Sequence, residues 1–144
     1  MDEKERQIIS ELRKDSRTSL SAISQSVGMP ISTIYDKINR MQRENLIHKY
    51  ALLIDFPKLG YHHHAHLALK VDKAQRKGLS SFLENHASIN SLHEIDGGFD
   101  FMFETVHKDV KEYSLFLEEL KEKFSVLELK EYQVINIIDR ERFR

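Results

Sequence analysis

The residues best suited to contact a polyanion lie between Ser32 and Arg40. They offer hydroxyl, phenol, carboxylate and cationic groups, on Ser32, Thr33, Tyr35, Asp36, Lys37 and Arg40. Groups of these kinds contact base edges and phosphates when a helix enters the major groove of DNA. The segment is therefore a candidate DNA-reading helix. An ordinary helix whose polar face is only solvated explains this stretch alone about as well.

Two sets of apolar residues at helical spacing predict two short, packed helices. One set is Leu20, Ile23 and Val27, and the other is Ile34, Ile38 and Met41. Gly28 lies between them, where a tight turn needs a residue that can adopt positive φ. Pro30 suits the approach to the second helix, and Ser32 is expected to cap its free N–H groups.

A third helix is predicted in front of this pair. Asp2 and Glu5 have the spacing of a capping box, and apolar residues at helical spacing follow them. After the pair, Asn45 suits a left-handed helix end. The apolar residues between Leu46 and Ile54 then predict an extended segment, as a wing or hairpin, before a hinge near Gly60.

The second half of the chain has a different apolar pattern. Alternation with period two runs through 65–71 and 99–103, as expected for strands with one buried face. The predicted elements are a strand at 65–71, a helix at 74–86, strands at 89–95 and 99–103, a helix at 110–124 and a strand at 126–138. This βαββαβ order is that of a ferredoxin-like fold. The chain is therefore predicted to be α+β, with residues 1–60 and 61–144 as separate domains.

Sheet exposure and charge both favour a homodimer. In the predicted fold two helices cover one face of the sheet, and a second copy is the simplest cover for the other face. Residues 1–60 carry ten Lys/Arg against eight Asp/Glu, and residues 61–144 carry twelve against fifteen. Because phosphate neutralisation supplies much of the affinity for DNA, one subunit with so little positive charge would bind weakly.

Four histidines, His62, His63, His64 and His66, begin the second domain. Positions 62, 64 and 66 would share one face of a strand, where imidazoles can converge on Zn²⁺, Ni²⁺ or Cu²⁺. No carboxylate or cysteine adjoins them in the sequence, so no metal site is assigned. We favour polar residues at an interface or sheet edge, ahead of a pH-sensitive or adventitious role and of a dedicated metal site.

The segment Gly97, Gly98, Phe99 and Asp100 is expected to connect two strands. Its glycines suit a tight hairpin turn that needs no ligand. They also expose backbone N–H and C=O groups that can hold the carboxylate and ammonium of an amino acid. Asp100 would either pair with that ammonium or stabilise the turn.

Three alternating aromatic residues, Phe99, Phe101 and Phe103, follow those glycines. Such a stripe resembles the base-stacking strand of RNA-binding sheets with this topology. No basic residue is interleaved with it, so core packing and dimer burial are the favoured interpretation.

Composition excludes several classes of site. The 144 residues are 40% apolar and 31% charged, with a formal net charge of −1 and no cysteine, which excludes disulfides and thiolate chemistry. No run approaches the ~20 apolar residues that span a bilayer, so no membrane partner and a cytoplasmic location are expected. No phosphate-binding loop, Ser-His-Asp spacing or acidic dyad is found, and no cofactor is expected.

Several local sequences, taken with the domain order, resemble those of a known family. They are Ser16–Ser19, the turn from Ile23 to Gly28, the exit from Leu46 to Gly60, and Gly97–Asp100, which resembles a Gly-x-Tyr/Phe-Asp turn. On these segments the chain resembles the Lrp/AsnC (feast/famine) transcriptional regulators. The resemblance implies a winged helix-turn-helix domain, a ferredoxin-like effector domain, and dimers that can form tetramers or octamers. It also implies DNA contacts from the six polar residues named first, and contact of an amino-acid effector with residues 97–100.

The sequence departs from that family at three positions. Asp36 stands where the family often has Arg, Asn39 where a basic residue is frequent, and Asn45 where Gly is usual. A carboxylate repels phosphate but accepts a hydrogen bond from cytosine, so Asp36 either alters the specificity or weakens binding.

An enzyme of the same fold is the competing interpretation. Some relatives of the family decarboxylate sirohaem with His and Arg around the tetrapyrrole, and the histidine-rich strand keeps this open. Arg76 is the only arginine of the second domain before its tail, so a cluster to bind several propionates is missing. We therefore expect a regulator and no enzyme.

Overall fold

The computed structural model describes all 144 residues and divides them into two compact units. One unit contains residues 1–53 and 138–144, and the other contains residues 54–137. The elements in order are α1 (Glu3–Lys14), α2 (Leu20–Val27), α3 (Ile31–Arg43), a 3₁₀ turn (Pro57–Leu59), β1 (His63–Val71), a 3₁₀ turn (Lys73–Gln75), α4 (Arg76–Glu84), β2 (Ile89–Glu94), β3 (Phe101–His107), α5 (Val110–Lys123) and β4 (Val126–Gln133). None of the helices has the length and apolarity needed to cross a lipid bilayer.

The first unit is a three-helix assembly around one small core. Its buried residues are Ile8, Ile23, Val27, Ile34, Ile38 and Met41, as the helical spacing predicts. The Asp2 side chain accepts a hydrogen bond from the Glu5 backbone N–H, and the Glu5 side chain accepts one from the Asp2 N–H. The predicted capping box is therefore formed. It satisfies backbone N–H groups that the first helical turn leaves without partners.

The turn between α2 and α3 forms as expected at Gly28 but not at Ser32. Gly28 is left-handed with φ 74°, and its N–H donates to the Ser24 carbonyl. Pro30, and not Ser32, is the N-cap residue of α3, and no side chain caps this helix. The predicted capping role of Ser32 is therefore wrong, because α3 begins one residue before it, at Ile31. Ser24 completes the turn, since its hydroxyl donates to the Met29 carbonyl oxygen.

The segment after α3 is open and unusually apolar. Asn45 takes the left-handed conformation with φ 58°, as predicted, and ends the helix. No strand is assigned from there to His63, so the extended segment forms no hairpin within the chain. Four of its large apolar side chains are exposed, namely Leu46, Tyr50, Leu52 and Leu53.

The second unit contains a four-stranded sheet in the order β2-β3-β1-β4, with antiparallel neighbours throughout. The predicted ferredoxin-like βαββαβ arrangement is therefore confirmed. The bounds of several elements differ from those predicted. The helix predicted at 74–86 is a 3₁₀ turn followed by α4, and the last strand ends at Gln133, five residues before its predicted end.

Alternation along the central strands separates a core face from an open face. Ala65, Leu67, Leu69 and Val71 of β1 pack with Phe101 and Phe103 of β3 beneath α4 and α5. Phe101 and Phe103 are therefore core residues, which argues against their stacking on RNA bases. Phe99 lies before β3, so it does not continue this stripe. On the open face, β1 presents His64 and His66, and β3 presents Met102 and Glu104.

The polar side chain of His107 is completely buried beneath α5. Its ring packs against Tyr113 and Phe116, and neither ring nitrogen has a hydrogen-bond partner in the chain. Burial lowers the pKa of His107 below 6.5, because a charged imidazolium would lose its hydration; Glu112 opposes this shift weakly.

This burial predicts a specific acid sensitivity. As the pH falls below 6.5, the unfolded chain binds a proton at His107 while the native chain does not, so the free energy of unfolding decreases. The loss should reach at most about 1.4 kcal/mol per pH unit and stop below the native pKa. His107→Leu should flatten this part of the pH profile in urea unfolding between about pH 5 and pH 8. The exposed His93→Gln variant serves as control, and an unchanged slope in His107→Leu would contradict the assignment.

Candidate nucleic-acid interface and effector loop

The outward surface of α3 is polar along its whole length. Successive residues turn by about 100°, so the side opposite Ile34, Ile38 and Met41 is centred on four other residues. These are Ser32, Asp36, Asn39 and Arg43. Tyr35 is 55% exposed at the edge of this surface, and Thr33 is half-buried. This face therefore offers hydrogen-bonding groups and one exposed cation, Arg43, at its C-terminal end.

Two of the predicted DNA-contacting cations are instead paired with α1. The Lys37 ammonium lies 3.4 Å from Glu5 Oε1 and 3.5 Å from Asp2 Oδ2. The Arg40 guanidinium pairs with the same Glu5 oxygen. These contacts hold both cations toward the N-terminus of α1 and offset part of the positive charge of α3.

Glu5 is the residue on which this arrangement depends. It is only 5% exposed, although it is charged and lies in the first turn of α1. One carboxylate oxygen accepts from the Asp2 backbone N–H, and the other faces Lys37 and Arg40. A buried carboxylate needs such partners, because an unpaired one would be strongly destabilising.

Asn39 and Arg43 belong to the outward surface but were missed by the sequence analysis. The signal was present, because a turn of about 100° per residue places both on the side of the helix opposite the buried stripe. Arg43 is not among the residues selected from the sequence, and Asn39 is named there only as a departure from the family pattern. The structure places both on the face that also carries Ser32 and Asp36.

The loop between β2 and β3 is a hairpin connection with two left-handed glycines. Gly97 and Gly98 both have φ of 104°, a conformation that residues with a Cβ rarely adopt. An added Cβ would meet no atom within 4 Å at either position, so the backbone conformation alone requires glycine. The Ile95 N–H closes the loop by donating to the Asp100 carbonyl oxygen at 3.0 Å.

Asp100 fastens this loop to the end of β1. Its N–H donates to the Leu69 carbonyl at 2.9 Å, and its Oδ2 accepts from the Val71 N–H at 2.9 Å. Its Oδ1 lies 2.6 Å from the Arg76 guanidinium. Both carboxylate oxygens are therefore engaged within the chain. Of the two roles considered for Asp100, these contacts favour stabilising the turn over pairing with a ligand's ammonium.

An open depression of about 380 Å³ lies over this loop. Lys70 and Arg76 supply positive charge to its lining, Glu94 and Asp96 supply negative charge, and the glycines supply backbone groups. Phe99 borders it, with the Lys130 ammonium 5.2 Å from the centre of its ring. A zwitterion with separate positive and negative groups matches this mixture of charges.

Comparison with known proteins finds similarity to several transcriptional regulators. Residues 1–48 match the winged helix-turn-helix DNA-binding family, which confirms the predicted class of the N-terminal domain. A relative from Pyrococcus horikoshii, an uncharacterised HTH-type transcriptional regulator, is 29% identical over 140 residues, covering 97% of this chain and 89% of that protein. The regulator FL11 of Pyrococcus abyssi is 29% identical over 118 residues, covering 82% and 78% of the two chains.

Solved structures extend the likeness to the whole fold. LrpC of Bacillus subtilis superposes with a TM-score of 0.85 at 19% identity, covering 97% of this chain and 98% of that chain. An AsnC family regulator from Agrobacterium tumefaciens gives a TM-score of 0.84 at 18% identity, with 96% and 93% coverage. The chain has the Lrp/AsnC fold. A third structure, a transcriptional regulator from Neisseria meningitidis in complex with L-Met, gives a TM-score of 0.88 at 16% identity, with 97% and 93% coverage.

The pairing of α3 with Glu5 leads to a prediction about DNA affinity. Glu5→Gln keeps a capping side chain but removes the charge that holds Lys37 and Arg40. We expect several-fold tighter binding to duplex DNA and a steeper dependence on salt, by about 0.9 in the log–log slope for each cation that gains a phosphate. Fluorescence anisotropy over a salt series measures both quantities.

Glu11→Gln is the matched control for that experiment. It removes the same charge from α1, but Glu11 pairs with Lys14 and not with α3. Equal gains in both variants would mean that net charge alone sets the affinity. No gain in Glu5→Gln would mean that Lys37 and Arg40 do not reach DNA.

Proposed function

We propose that this chain is a sequence-specific DNA-binding transcriptional regulator whose activity responds to a small amino acid. The observation that carries the proposal is the polar outer face of α3 within a domain that matches winged helix-turn-helix DNA-binding domains. A helix of this kind reads base edges from the major groove while flanking groups contact phosphates. The relatives named as transcriptional regulators support the same conclusion.

The proposed reading surface contains the six residues selected from the sequence together with Asn39 and Arg43. Ser32, Asp36 and Asn39 are exposed or half-buried on the face that would meet base edges. Asp36 suits the exocyclic amino group of cytosine, and Asn39 suits adenine. Arg43 suits a phosphate at the end of the helix, and Arg40 would join it on release from Glu5.

We propose a homodimer as the DNA-binding unit, with tetramers or octamers as larger assemblies. The open face of the sheet carries Met102 and Tyr132, both large and exposed. A second copy would bury them and double the number of reading helices. Residues 1–60 then serve as the DNA-binding domain with its linker, and residues 61–144 as the effector and assembly domain. We also propose a cytoplasmic location, because the regulator must reach DNA.

The proposed effector contacts are the loop 97–100 and the charged residues around it. The glycine backbone and Arg76 would hold a carboxylate, and Glu94 or Asp96 an ammonium. The complex of a similarly folded regulator with L-Met supports an amino acid as the ligand class. The sirohaem-decarboxylase alternative has less support, because Arg76 is the only arginine that lines the depression, whereas several propionates would need a cluster of them.

DNA recognition by α3 is tested with the chain's own upstream DNA. Arg43→Ala should weaken binding about tenfold and lower the salt slope by about 0.9, because one phosphate contact is lost. Arg6→Ala removes the same charge from an exposed position of α1 and serves as the control. Equal effects of the two variants, or no binding by the unmodified chain at low salt, would refute the proposed interface.

Effector sensing is tested by repeating the binding assay with L-methionine and with the other common amino acids. Gly98→Ala strains a residue at φ 104° by about 1–2 kcal/mol or more and should shift the effective amino-acid concentration while leaving binding of effector-free protein unchanged. Gly78→Ala, inside α4 with only an ordinary 3.6 Å contact to Phe124, is the control. If no amino acid alters DNA binding by the unmodified chain, the effector proposal fails while the DNA proposal stands.

A further inference from the structure

Three potential metal ligands converge on the open face of the sheet. His64 Nε2 lies 2.6 Å from Glu104 Oε2, and His66 Nε2 lies 3.2 Å from the same oxygen. One ligand atom from each residue falls within 4.8 Å of the others. The two imidazoles stand side by side, with ring centres 5.7 Å apart. The three side chains therefore surround one small volume.

The carboxylate that the sequence lacked near the histidines comes from β3. His66 of β1 is paired directly with Glu104 in the antiparallel ladder, and His64 is paired with Val106, two residues along. Side chains two apart on one strand share a face with the residue opposite them. Glu104 is thus placed between the imidazoles although 38 residues of sequence separate it from His66.

Neighbouring residues hold two of these ligands in place. The Asn90 side-chain amide donates to Glu104 Oε1, so the other oxygen is left to face the histidines. Phe56 packs edge-on against the His64 ring, with centres 5.2 Å apart. His64 is 8% exposed and the Glu104 side chain 12%, whereas the His66 side chain is 48% exposed in a single subunit, which leaves an entry path from solvent there. Supporting contacts of this kind are typical of metal sites.

We propose that His64, His66 and Glu104 bind a divalent transition-metal ion, with Zn²⁺ as the reference ion. Two imidazoles and one carboxylate are ligands that suit Zn²⁺ and its neighbours in the first transition row. Three protein ligands leave a fourth tetrahedral position for water or another group. This site is separate from the face of α3 and from the loop 97–100, so the inference does not depend on DNA or effector binding. It lies on the open sheet face that also carries Tyr132, so in the proposed dimer the ion would lie at or beside the interface.

The distances agree with such a centre after small adjustments. Bonds of about 2.0–2.1 Å in a tetrahedron place ligand atoms about 3.3 Å apart. The separation between His66 Nε2 and Glu104 Oε2 is already 3.2 Å, and the His64 contact at 2.6 Å would need to lengthen.

The test uses the full chain without any affinity tag, stripped with a chelator and then titrated with Zn²⁺ by calorimetry at about pH 7.5, where neutral imidazole is the ligand form. Visible absorption of added Co²⁺ gives an independent measure of coordination. We expect one ion per chain. Affinity should fall about 100-fold or more in His66→Gln and in Glu104→Gln, and about 10–100-fold in Asn90→Ala.

His93→Gln is the matched control, because His93 is an exposed histidine of β2 that does not belong to the cluster. The Zn²⁺ affinity of this variant should stay within about twofold of the unmodified chain if only the three ligands and the side chains that hold them in place matter. His66→Gln is the main variant because the half-exposed side chain can change without loss of packing, and circular dichroism checks its fold. Absence of Zn²⁺ binding would show that the histidines only pair with Glu104. Equal weakening in His93→Gln would show adventitious surface binding. Either result would overturn the proposal.

Discussion

The antiparallel pairing of β1 with β3 is the constraint on which the second unit depends. Its register, from His63 opposite His107 to Leu69 opposite Phe101, decides which side chains face the helices and which face outward. The same register puts Phe103 into the core, Glu104 beside two histidines, and Asp100 within reach of the backbone at Leu69 and Val71. The core, the cluster on the open face and the anchoring of the glycine loop therefore follow from one alignment of two strands.

The first unit has its own organising contact, the buried carboxylate of Glu5. It completes the cap of α1 through one carboxylate oxygen and pairs with Lys37 and Arg40 of α3 through the other, so one side chain serves both the helix end and the packing between helices. The consequence is electrostatic. Cations that would otherwise face outward are held against α1, and the outer face of α3 is left with mainly neutral or acidic groups around Arg43. A single carboxylate thus sets how much positive charge this helix presents to a polyanion.

Much of the fold could be predicted because its determinants are local in sequence. The Asp2–Glu5 spacing, Gly28 and Asn45 each specify a backbone conformation within a few residues, and the period-two pattern at Ala65–Val71 identifies β1. The sites were predicted less well because they depend on residues far apart. Neither the pairing of Glu5 with Arg40 nor that of His66 with Glu104 follows from any spacing along the chain. Ser32 failed as a cap for a different reason, since α3 starts at Ile31 and not just after Ser32, and a small shift of a helix start is enough to remove that role.

The attachment of Asp100 to β1 also fixes the number of residues between Asp100 and Glu104 of β3. Leu69 and Val71 fix one end through hydrogen bonds to Asp100, and the pairing of His66 with Glu104 fixes the other. Deleting or inserting one residue between Asp100 and Glu104 would reverse the alternation, moving Glu104 under the helices and Phe103 into solvent. Substitutions in this stretch can be accommodated one side chain at a time, whereas a change in residue number would disrupt the core and the open face together.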